Sequence, residues 1–476
     1  MLKNNFLPFN FERFEDKILI TNDGGDFYWL SVADFDSLLS GKLSKDSKVY
    51  SDLAARDIIG NSLYVSIDRL AAKIRSRKKF LYDFTSLHML VTTVRCNQKC
   101  DYCQVSCEDE DAYKYDMDIE TATRIVDMIF MSPSQSIKIE FQGGEPTLNW
   151  KIVEHVVLYA LKKNLSEKKN LDFVLCSNLT CISDDKLKFL ADNNVCISTS
   201  LDGPKDLHDS HRKLRIGESS YELFMNRIDA ARRLVGEDHV DALMTTTRSS
   251  LARGVDIVDE YRKQGLAGVF LRSLNPYGFA SEKKNLIGYS TLDFVGFFKS
   301  TLRYIADINI QGHYFPEYYA SLLFSRMMTS HSTGFVDFQS PSGAGISGAI
   351  YDYNGDVYPA DEGRMLARMG NAHFCMGNVH KDEYEEIFGG PVIRSLVNDS
   401  WLDTMPGCSS CVYKPYCGSD PIRNYVESGT SACKQLFSSF CLKNKSLFNL
   451  LFDVAGSSDC SMLDVLWSWI APKKRF

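Results

Sequence analysis

The chain has 476 residues and a net charge of −7, with 44% hydrophobic and 24% charged residues. This length allows two or three domains, and the composition is that of globular rather than disordered proteins. The acidic balance disfavours a protein that works by neutralising nucleic-acid phosphates. The N-terminal segment lacks the pattern of a signal peptide, and no stretch approaches the roughly 18 apolar residues of a membrane span. We therefore expect a cytoplasmic protein without nucleic-acid or membrane partners.

Residues 1–82 predict a small α+β module. The segments KILITND and GDFYWLS predict two strands around the turn Asn22–Gly25, and SVADFDSLLSG and SDLAARDIIG predict short helices. Such a unit can capture a peptide as an added strand at the edge of its sheet. The module is thus either a recognition element for a precursor peptide or a structural cap on the next domain.

Residues 83–285 alternate between strand and helix patterns. The predicted strands are HMLVTTVR, SIKIEFQ, LDFVLCS, VCISTSLD, HVDALMTTT and AGVFLRSL. Consecutive right-handed βαβ units of this kind predict an α/β fold, a partial (β/α)6 TIM-like barrel whose active site lies at the carboxyl ends of the strands.

The rest of the chain divides into three predicted segments. Residues 286–339 predict a helical connection, and residues 446–476 a C-terminal tail or helix. Residues 340–445 are rich in glycine and cysteine and show little periodicity, which is typical of a domain organised by metal.

Cys96, Cys100 and Cys103 lie directly after the first predicted barrel strand. Cytoplasmic thiols stay reduced, so a short-spaced cysteine set indicates metal rather than disulfides. Three thiolates can hold three corners of a [4Fe–4S] cluster and leave the fourth iron open. A zinc knuckle is the alternative, but zinc takes four ligands and no histidine follows at a suitable spacing. The singletons predicted to be structural thiols are Cys107, Cys176, Cys181 and Cys196.

Polar residues also follow the later predicted strands. The second strand ends in Gln142-Gly-Gly-Glu-Pro146, where the glycines allow a close backbone approach to a ligand and Glu145 can accept hydrogen bonds from an ammonium group. The ends of the third and fourth strands carry Ser177, Asn178, Ser200 and Asp202, with Arg212 following.

The strings CNQKCDYC and GGEP resemble the motifs of the radical S-adenosylmethionine (SAM) superfamily. The resemblance implies a [4Fe–4S] cluster on Cys96, Cys100 and Cys103, and reductive cleavage of SAM to a 5′-deoxyadenosyl radical that abstracts a substrate hydrogen. It also implies that SAM is held by Tyr102, Gly143, Gly144, Glu145, Pro146, Ser177, Asn178, Ser200, Asp202 and Arg212. Asp202 faces either the cofactor or the substrate, and in the second case it is a catalytic candidate.

The C-terminal cysteines Cys408, Cys411 and Cys417, with Cys433 and Cys441 downstream, resemble half of a SPASM domain. The resemblance implies at least one auxiliary [4Fe–4S] cluster, and a zinc site is the alternative. We expect one cluster, held by Cys408, Cys411, Cys417 and Cys441, with Cys433 as the alternative fourth ligand.

Two cysteines that a complete SPASM domain would carry are absent here. Ala360 follows Gly355-Asp-Val-Tyr-Pro359, and Gly418-Ser-Asp420-Pro replaces the second. Both absences concern the same cluster, although Cys375 could rescue it and Asp420 or Asp361 could act as oxygen ligands. In related sulfatase-maturing enzymes an aspartate at the position of Asp361 acts as a base, so Asp361 is a catalytic candidate, with a surface turn carboxylate as the alternative.

The strings LPFNFERF, ITNDGGDFYWLS, YNGDVYPADEGRML and PYCGSDP are similar to the B-type radical SAM maturases of the His-Xaa-Ser peptide system. This resemblance implies a ribosomally made precursor peptide as substrate, with His-Xaa-Ser repeats, and a cross-link or other oxidation as the modification. The implied partners are that precursor, an electron donor such as flavodoxin or ferredoxin, and a second maturase. The alternatives are a sulfatase-type, formylglycine-forming maturase and a non-catalytic iron–sulfur or zinc scaffold.

Overall fold

The computed structural model describes residues 6–60, 63–217, 219–275, 277–432, 438–457 and 459–471. The chain forms two compact units, the first built from segments 1–82, 320–343 and 396–476, and the second from segments 83–319 and 344–395. Within the described residues, no helix has the length and apolar character needed to cross a bilayer.

The first unit begins with an antiparallel sheet in the order β1-β2-β3. Its strands are β1 (Phe9–Arg13), β2 (Lys17–Asn22) and β3 (Phe27–Ser31), and the helices that follow are α1 (Val32–Leu39), α2 (Lys48–Ala55), α3 (Leu63–Arg77) and α4 (Phe80–Asp83). Ile18 and Ile20 pack with Phe35 and Leu53 in a buried core. The predicted strands and helices are confirmed, and β1 and α3 are additions.

The second unit is built on a largely parallel sheet in the order β11-β10-β8-β7-β6-β4-β12-β13-β14. The remaining strands of the chain are β4 (Leu87–Thr93), β5 (Gln98–Cys100), β6 (Ser136–Gly143), β7 (Asn170–Cys176), β8 (Val195–Ser200), β9 (Arg212–Leu214), β10 (Val240–Thr245), β11 (Leu271–Arg272), β12 (Gly348–Tyr351), β13 (Asp356–Tyr358) and β14 (Gly377–Asn378). Every neighbouring pair from β4 to β11 in this sheet is parallel. The predicted α/β barrel architecture is confirmed.

Helices connect the parallel strands and follow them. They are α5 (Ile119–Met131), α6 (Trp150–Glu167), α7 (Asp184–Asp192), α8 (Lys205–His211), α9 (Ser220–Val235), α10 (Gly254–Lys263), α11 (Gly278–Glu282), α12 (Lys284–Ile287), α13 (Thr291–Ile310), α14 (Tyr318–Met328), α15 (Asp361–Arg368), α16 (Tyr384–Phe388), α17 (Pro391–Ser400), α18 (Pro421–Ser428), α19 (Ser439–Ala455) and α20 (Ser461–Ile470). Side chains of Asp118, Ser183 and Ser219 cap α5, α7 and α9 by accepting bonds from backbone N–H groups of the first turn.

The segment 344–395 is part of the barrel unit because β12 pairs in parallel with β4. The two compact units therefore cut across the predicted 340–445 segment. The reason is local: β12 is four residues long and starts at Gly348, so its sequence carries little strand pattern.

Candidate active site and C-terminal cysteine site

The cysteine loop after β4 is held by main-chain hydrogen bonds. Its strand β5 pairs with β9 in antiparallel register, which sets Cys100 opposite Arg212. The Asp101 N–H also donates to the His211 carbonyl at 2.9 Å. The loop therefore has a defined conformation that the rest of the barrel unit imposes.

The thiols of the predicted triad lie close together. Cys96 interacts electrostatically with Cys100, and Cys100 with Cys103. Burial raises the pKa of the Cys100 thiol to about 12. Metal binding must displace the protons of such thiols, so affinity depends on pH.

Cys107 joins this group although its sequence pattern predicts only a structural thiol. Its side chain interacts by hydrogen bonding with the thiols of both Cys96 and Cys103, and its Sγ lies 3.4 Å from the Gln98 carbonyl oxygen. The regular x3 spacing after Cys103 is the sequence feature that could have indicated this placement.

Hydrogen-bond donors point at the Cys96 sulfur. The Gln98 N–H donates to Cys96 Sγ at 3.4 Å, and the Asn178 amide lies 3.9 Å from it. Donors of this kind stabilise a thiolate and tune an iron–sulfur cluster, so the residues present fit one. Within the described residues, no set of three or more His, Cys, Asp or Glu side chains could hold a single metal ion. A four-iron cluster instead spreads its thiolates over separate iron atoms.

The glycines after β6 are required by the barrel itself. A Cβ on Gly143 would collide with the Thr93 carbonyl oxygen, and one on Gly144 would collide with the Arg95 carbonyl oxygen. The predicted reason, close approach to a ligand, is therefore incomplete, because the neighbouring strand already excludes a side chain. Pro146 begins the short turn of helix that follows.

Glu145 is fully buried and bound by protein groups. Its carboxylate accepts hydrogen bonds from Thr147 Oγ1 at 2.7 Å, Ser177 Oγ at 2.8 Å and the Asn178 N–H at 2.8 Å. Burial raises the pKa of Glu145 above its usual range. The ends of β6 and β7 thus meet at one carboxylate, and the Asn178 amide extends from there to Asn97 of the cysteine loop at 2.9 Å.

Tyr102, Asp202 and Arg212 form one buried network. The Tyr102 hydroxyl donates to the Asp202 carboxylate, and Arg212 Nε donates to the same oxygen at 3.0 Å. Burial opposes the charge on Asp202, but Arg212, His208 and the Tyr102 hydrogen bond together hold the pKa of that carboxyl below its usual range. This pairing fixes the orientation of the Asp202 carboxylate, and whether Asp202 faces the cofactor or the substrate stays a prediction. Ser200 ends β8 beside it and is half-buried.

Asp361 starts α15 and forms an ion pair with Arg364, whose Nη2 lies 2.9 Å from its carboxylate. Arg364 is almost fully buried, and its Nη1 has no hydrogen-bond partner within the described part of the chain. Burial opposes its charge, but Asp361 and then Asp352 raise the pKa of Arg364, with a smaller effect of the Cys103 thiol. Asp361 therefore belongs to the surroundings of the triad. The sequence pattern carries no signal for Arg364, which lies one helical turn after Asp361.

The C-terminal cysteines form a second thiol site in the first unit. Cys417 interacts electrostatically with Cys411, Cys441 and Cys408. Burial raises the pKa of the Cys408 thiol to about 12. Cys441 lies in the first turn of α19, and its N–H donates to the capping Ser438 hydroxyl at 3.1 Å. The structure thus brings the four expected ligands together, a set that fits a cluster, whereas Cys433 lies outside the described residues.

The residues considered for another cluster have other contacts. The Cys375 thiol donates to the Gly377 carbonyl at 3.6 Å, and Ala360 is buried at the start of α15. Asp420 caps α18 by accepting a bond from the Arg423 N–H at 2.9 Å. Burial and the neighbouring Asp337 raise the pKa of Asp420.

Comparisons with known proteins identify similar sequences and similar folds. Residues 90–261 match the model of the Radical SAM superfamily. The cysteine-type anaerobic sulfatase-maturating enzyme of Clostridium novyi (strain NT) is 24% identical over 379 residues, covering 76% of this chain and 94% of that enzyme.

Two solved structures share the fold. Native anSMEcpe with bound AdoMet has a TM-score of 0.64 and 18% identity, covering 80% of this chain and 99% of that one. Streptococcus suis SuiB bound to precursor peptide SuiA has a TM-score of 0.53 and 14% identity, covering 90% and 98%. Residues 90–261 are therefore similar in sequence to the Radical SAM superfamily, and the chain shares the fold of these two structures.

Proposed function

We propose that this chain is a radical SAM enzyme that modifies a peptide. The observation that carries the proposal is the Cys96, Cys100 and Cys103 loop, fixed by the β5–β9 pairing beside the strand ends that carry Glu145 and Asn178. A [4Fe–4S] cluster on these thiols would supply one electron to SAM, and the 5′-deoxyadenosyl radical formed would take a hydrogen atom from the peptide.

The chain's own residues would bind and orient the cofactor. The Asn178 amide links the cysteine loop to the β7 end, and the Arg212–Asp202 pair fixes the segment opposite Cys100. Glu145, buried at the same edge, offers a carboxylate for an ammonium group, at the cost of exchanging some of its present protein donors.

The test is SAM cleavage by anaerobically reconstituted protein with dithionite. We expect methionine and 5′-deoxyadenosine in equal amounts, and we expect Glu145→Gln to weaken SAM binding by about tenfold because it removes one charge-assisted contact. Thr123→Ala, on the outer helix α5, is a matched control expected to leave binding unchanged. A chain with a full cluster that leaves SAM intact, with and without peptide, would instead be a scaffold.

Two candidate activities differ in the peptide modification that they produce. We favour a cross-link or other oxidation in a ribosomally made precursor, of the His-Xaa-Ser type, with a flavodoxin or ferredoxin as electron donor and a second maturase as partner. A sulfatase-maturing activity fits equally well, because the Clostridium novyi relative matches over 379 residues. Incubation with a sulfatase peptide and with the precursor encoded beside the enzyme, followed by mass spectrometry, distinguishes them: an aldehyde in the sulfatase peptide identifies the second activity.

The C-terminal site would hold one auxiliary [4Fe–4S] cluster on Cys408, Cys411, Cys417 and Cys441. Their mutual electrostatic interactions support this assignment. Iron quantitation is the test: the full chain should bind about eight irons as two four-iron clusters. About twelve irons would mean a second auxiliary cluster, and a single tightly bound zinc ion would support the zinc alternative.

The N-terminal sheet is our candidate for precursor recognition. Strand β1 is at an edge of the sheet, and the Phe14 N–H donates to the Lys17 carbonyl at 2.8 Å. Antiparallel alternation then directs the Phe11 N–H away from β2, where an added strand could bond to it. Phe11→Pro removes both the aromatic ring and the backbone N–H donor. Phe11→Ala removes the ring but keeps the N–H donor. We expect only the proline variant to lose precursor affinity, and equal affinities would favour the structural cap.

A further inference from the structure

A cavity of about 160 Å³ lies in the first unit beside Cys417. The charged residues along its wall are Asp23, Arg77, Lys78, Arg326, Asp403 and Lys414. Lys78 and Lys414 form ion pairs with Asp403 at 3.2 and 2.9 Å, and Lys414 also with Asp23 at 2.9 Å. The lysines thus have carboxylate partners, and the arginines carry the remaining positive charge.

Arg326 is the more deeply placed of the two arginines, with 6% of its surface exposed. Its Nε donates to the Tyr416 carbonyl at 2.7 Å, and its own carbonyl accepts a bond from Arg77 Nη1 at 2.9 Å. Burial and the neighbouring Arg77 lower the pKa of Arg326 to about 9, and the Cys417 thiol acts in the opposite direction. Arg326 is therefore a charged side chain between a like charge and a predicted cluster ligand.

Buried arginines of the barrel unit provide an internal comparison. Arg95 pairs with Asp116 at 2.8 Å, and Arg212 with Asp202 at 3.0 Å. Arg364 pairs with Asp361 in the same way. Among the residues that the structure describes, Arg326 has no such carboxylate. A buried guanidinium without a counter-charge is costly, because desolvation penalises the charge and nothing compensates it.

An iron–sulfur cluster on the C-terminal thiols would supply an anion at this position. Four thiolates and the bridging sulfides give a [4Fe–4S] cluster a net negative charge. Cys417 follows Tyr416, whose carbonyl binds Arg326, and it lines the same cavity, so it would bring that charge near Arg326. A nearby cation stabilises the more negative, reduced cluster more than the oxidised one, and so raises the reduction potential.

We propose that Arg326 is the fixed counter-charge of the auxiliary cluster and raises its reduction potential. Arg326 is thus a positioning residue that acts on the cluster through Cys417. The inference rests on the auxiliary cluster of the proposed function and adds its electrostatic control, since the potential decides whether the cluster can exchange electrons during peptide oxidation.

The experiment uses the full chain with Cys96, Cys100 and Cys103 changed to alanine, so that iron and electron paramagnetic resonance report the auxiliary cluster alone. In this background we compare Arg326 with Arg326→Gln, which removes the charge, and Arg326→Lys, which keeps it. We expect Arg326→Gln to lower the equilibrium constant for one-electron reduction of the cluster by about tenfold or more. This corresponds to a reduction potential lower by about 59 mV. Arg326→Lys should keep the reduction potential close to that of the chain with Arg326, and its iron content should be unchanged.

A second measurement covers variants that bind iron poorly. An uncompensated charge should destabilise the metal-free chain, so Arg326→Gln should raise the thermal midpoint of the metal-free protein. The same change should reduce the increase in thermal midpoint that follows cluster reconstitution. Equal gains together with an unchanged potential would overturn the inference. Stabilisation of the metal-free protein by phosphate through Arg326, at an unchanged potential, would also overturn it, because the cavity would then hold a free anion. Absence of iron from the triad-free chain would remove the auxiliary cluster itself, and with it this inference.

Discussion

The two thiol sites of this chain are built in different ways. The triad loop is fixed by the β5–β9 ladder and by side chains at the ends of barrel strands. The C-terminal thiols lie mostly in tight turns. In these turns the Cys411 N–H donates to the Cys408 carbonyl, and the Cys417 N–H donates to the Tyr413 carbonyl. Regular secondary structure can prepare the first site before metal arrives, whereas a turn-based site depends more on the metal.

This difference extends to the charges around the sites. Arg212 and Arg364, near the triad, have carboxylate partners within the protein. Arg326, near Cys417, has no carboxylate partner among the residues that the structure describes. The arginines near the triad are thus paired with carboxylates of the protein. Arg326, at the C-terminal site, would gain its counter-charge when the cluster binds.

The largest effect is expected from the triad. Changing any of Cys96, Cys100 or Cys103 to alanine should abolish SAM cleavage and remove about four irons, because three thiolates are the minimum for this cluster. The fold should persist, since the loop is held by β5 and β9. The exposed Cys460 provides the matched control Cys460→Ala, expected to keep both iron and cleavage. Cleavage that survives in a triad variant would contradict the assignment of the ligands.

A substitution of Asp361 should affect peptide modification without affecting cleavage of SAM. Asp361→Asn is expected to keep 5′-deoxyadenosine formation and to reduce modified peptide by about a hundredfold or more, the usual contribution of a general base. Glu362→Gln, one residue later on α15, is the control and should act like the unchanged enzyme. Mass spectrometry of the peptide is the measurement, and normal product yield from Asp361→Asn would leave the carboxylate only its pairing with Arg364.

Cys441 tests the metal dependence of the C-terminal site. Cys441→Ser should lower iron from about eight to about four per chain and reduce the thermal stability of the reconstituted protein. The exposed Cys460 provides the matched control Cys460→Ser, with no change expected in either quantity. If instead Cys433→Ser removes the iron and Cys441→Ser does not, the alternative fourth ligand is correct.

The smallest effect concerns pH and the barrel unit. Burial lowers the pKa of His88 to about 3, so the folded chain keeps it neutral where an unfolded chain, with a pKa of about 6.5, takes up a proton. Its contribution to stability is present above pH 6.5 and is lost as the pH falls towards 3, with a slope of at most about 1.4 kcal/mol per pH unit.

Denaturant unfolding between pH 4 and 7 measures this slope. His88→Gln should flatten it, because the titrating group is gone, whereas the exposed His313→Gln should leave it unchanged. An equal slope in His88→Gln and in the unchanged chain would mean that His88 does not titrate on unfolding.

The barrel was predictable from sequence because its strands are apolar runs separated by amphipathic helices. Strand β12 was not, since its pairing with β4 is a long-range contact made by a short glycine-started segment. The triad and Glu145 could be proposed from the sequence because motif spacing reflects ligand chemistry. Cys107, Arg364 and Arg326 were missed, since their roles depend on side chains that meet only in three dimensions.

The central claim is hydrogen abstraction from a peptide by a cofactor bound at the triad. The most direct test is to incubate reconstituted enzyme with SAM, reductant and a precursor peptide deuterated at its side chains, and to measure deuterium in the 5′-deoxyadenosine formed. The same experiment with a precursor deuterated at every carbon-bound position covers abstraction from the backbone. We predict deuterium transfer from this precursor in step with peptide modification, and modified peptide accompanied by unlabelled 5′-deoxyadenosine would contradict the mechanism.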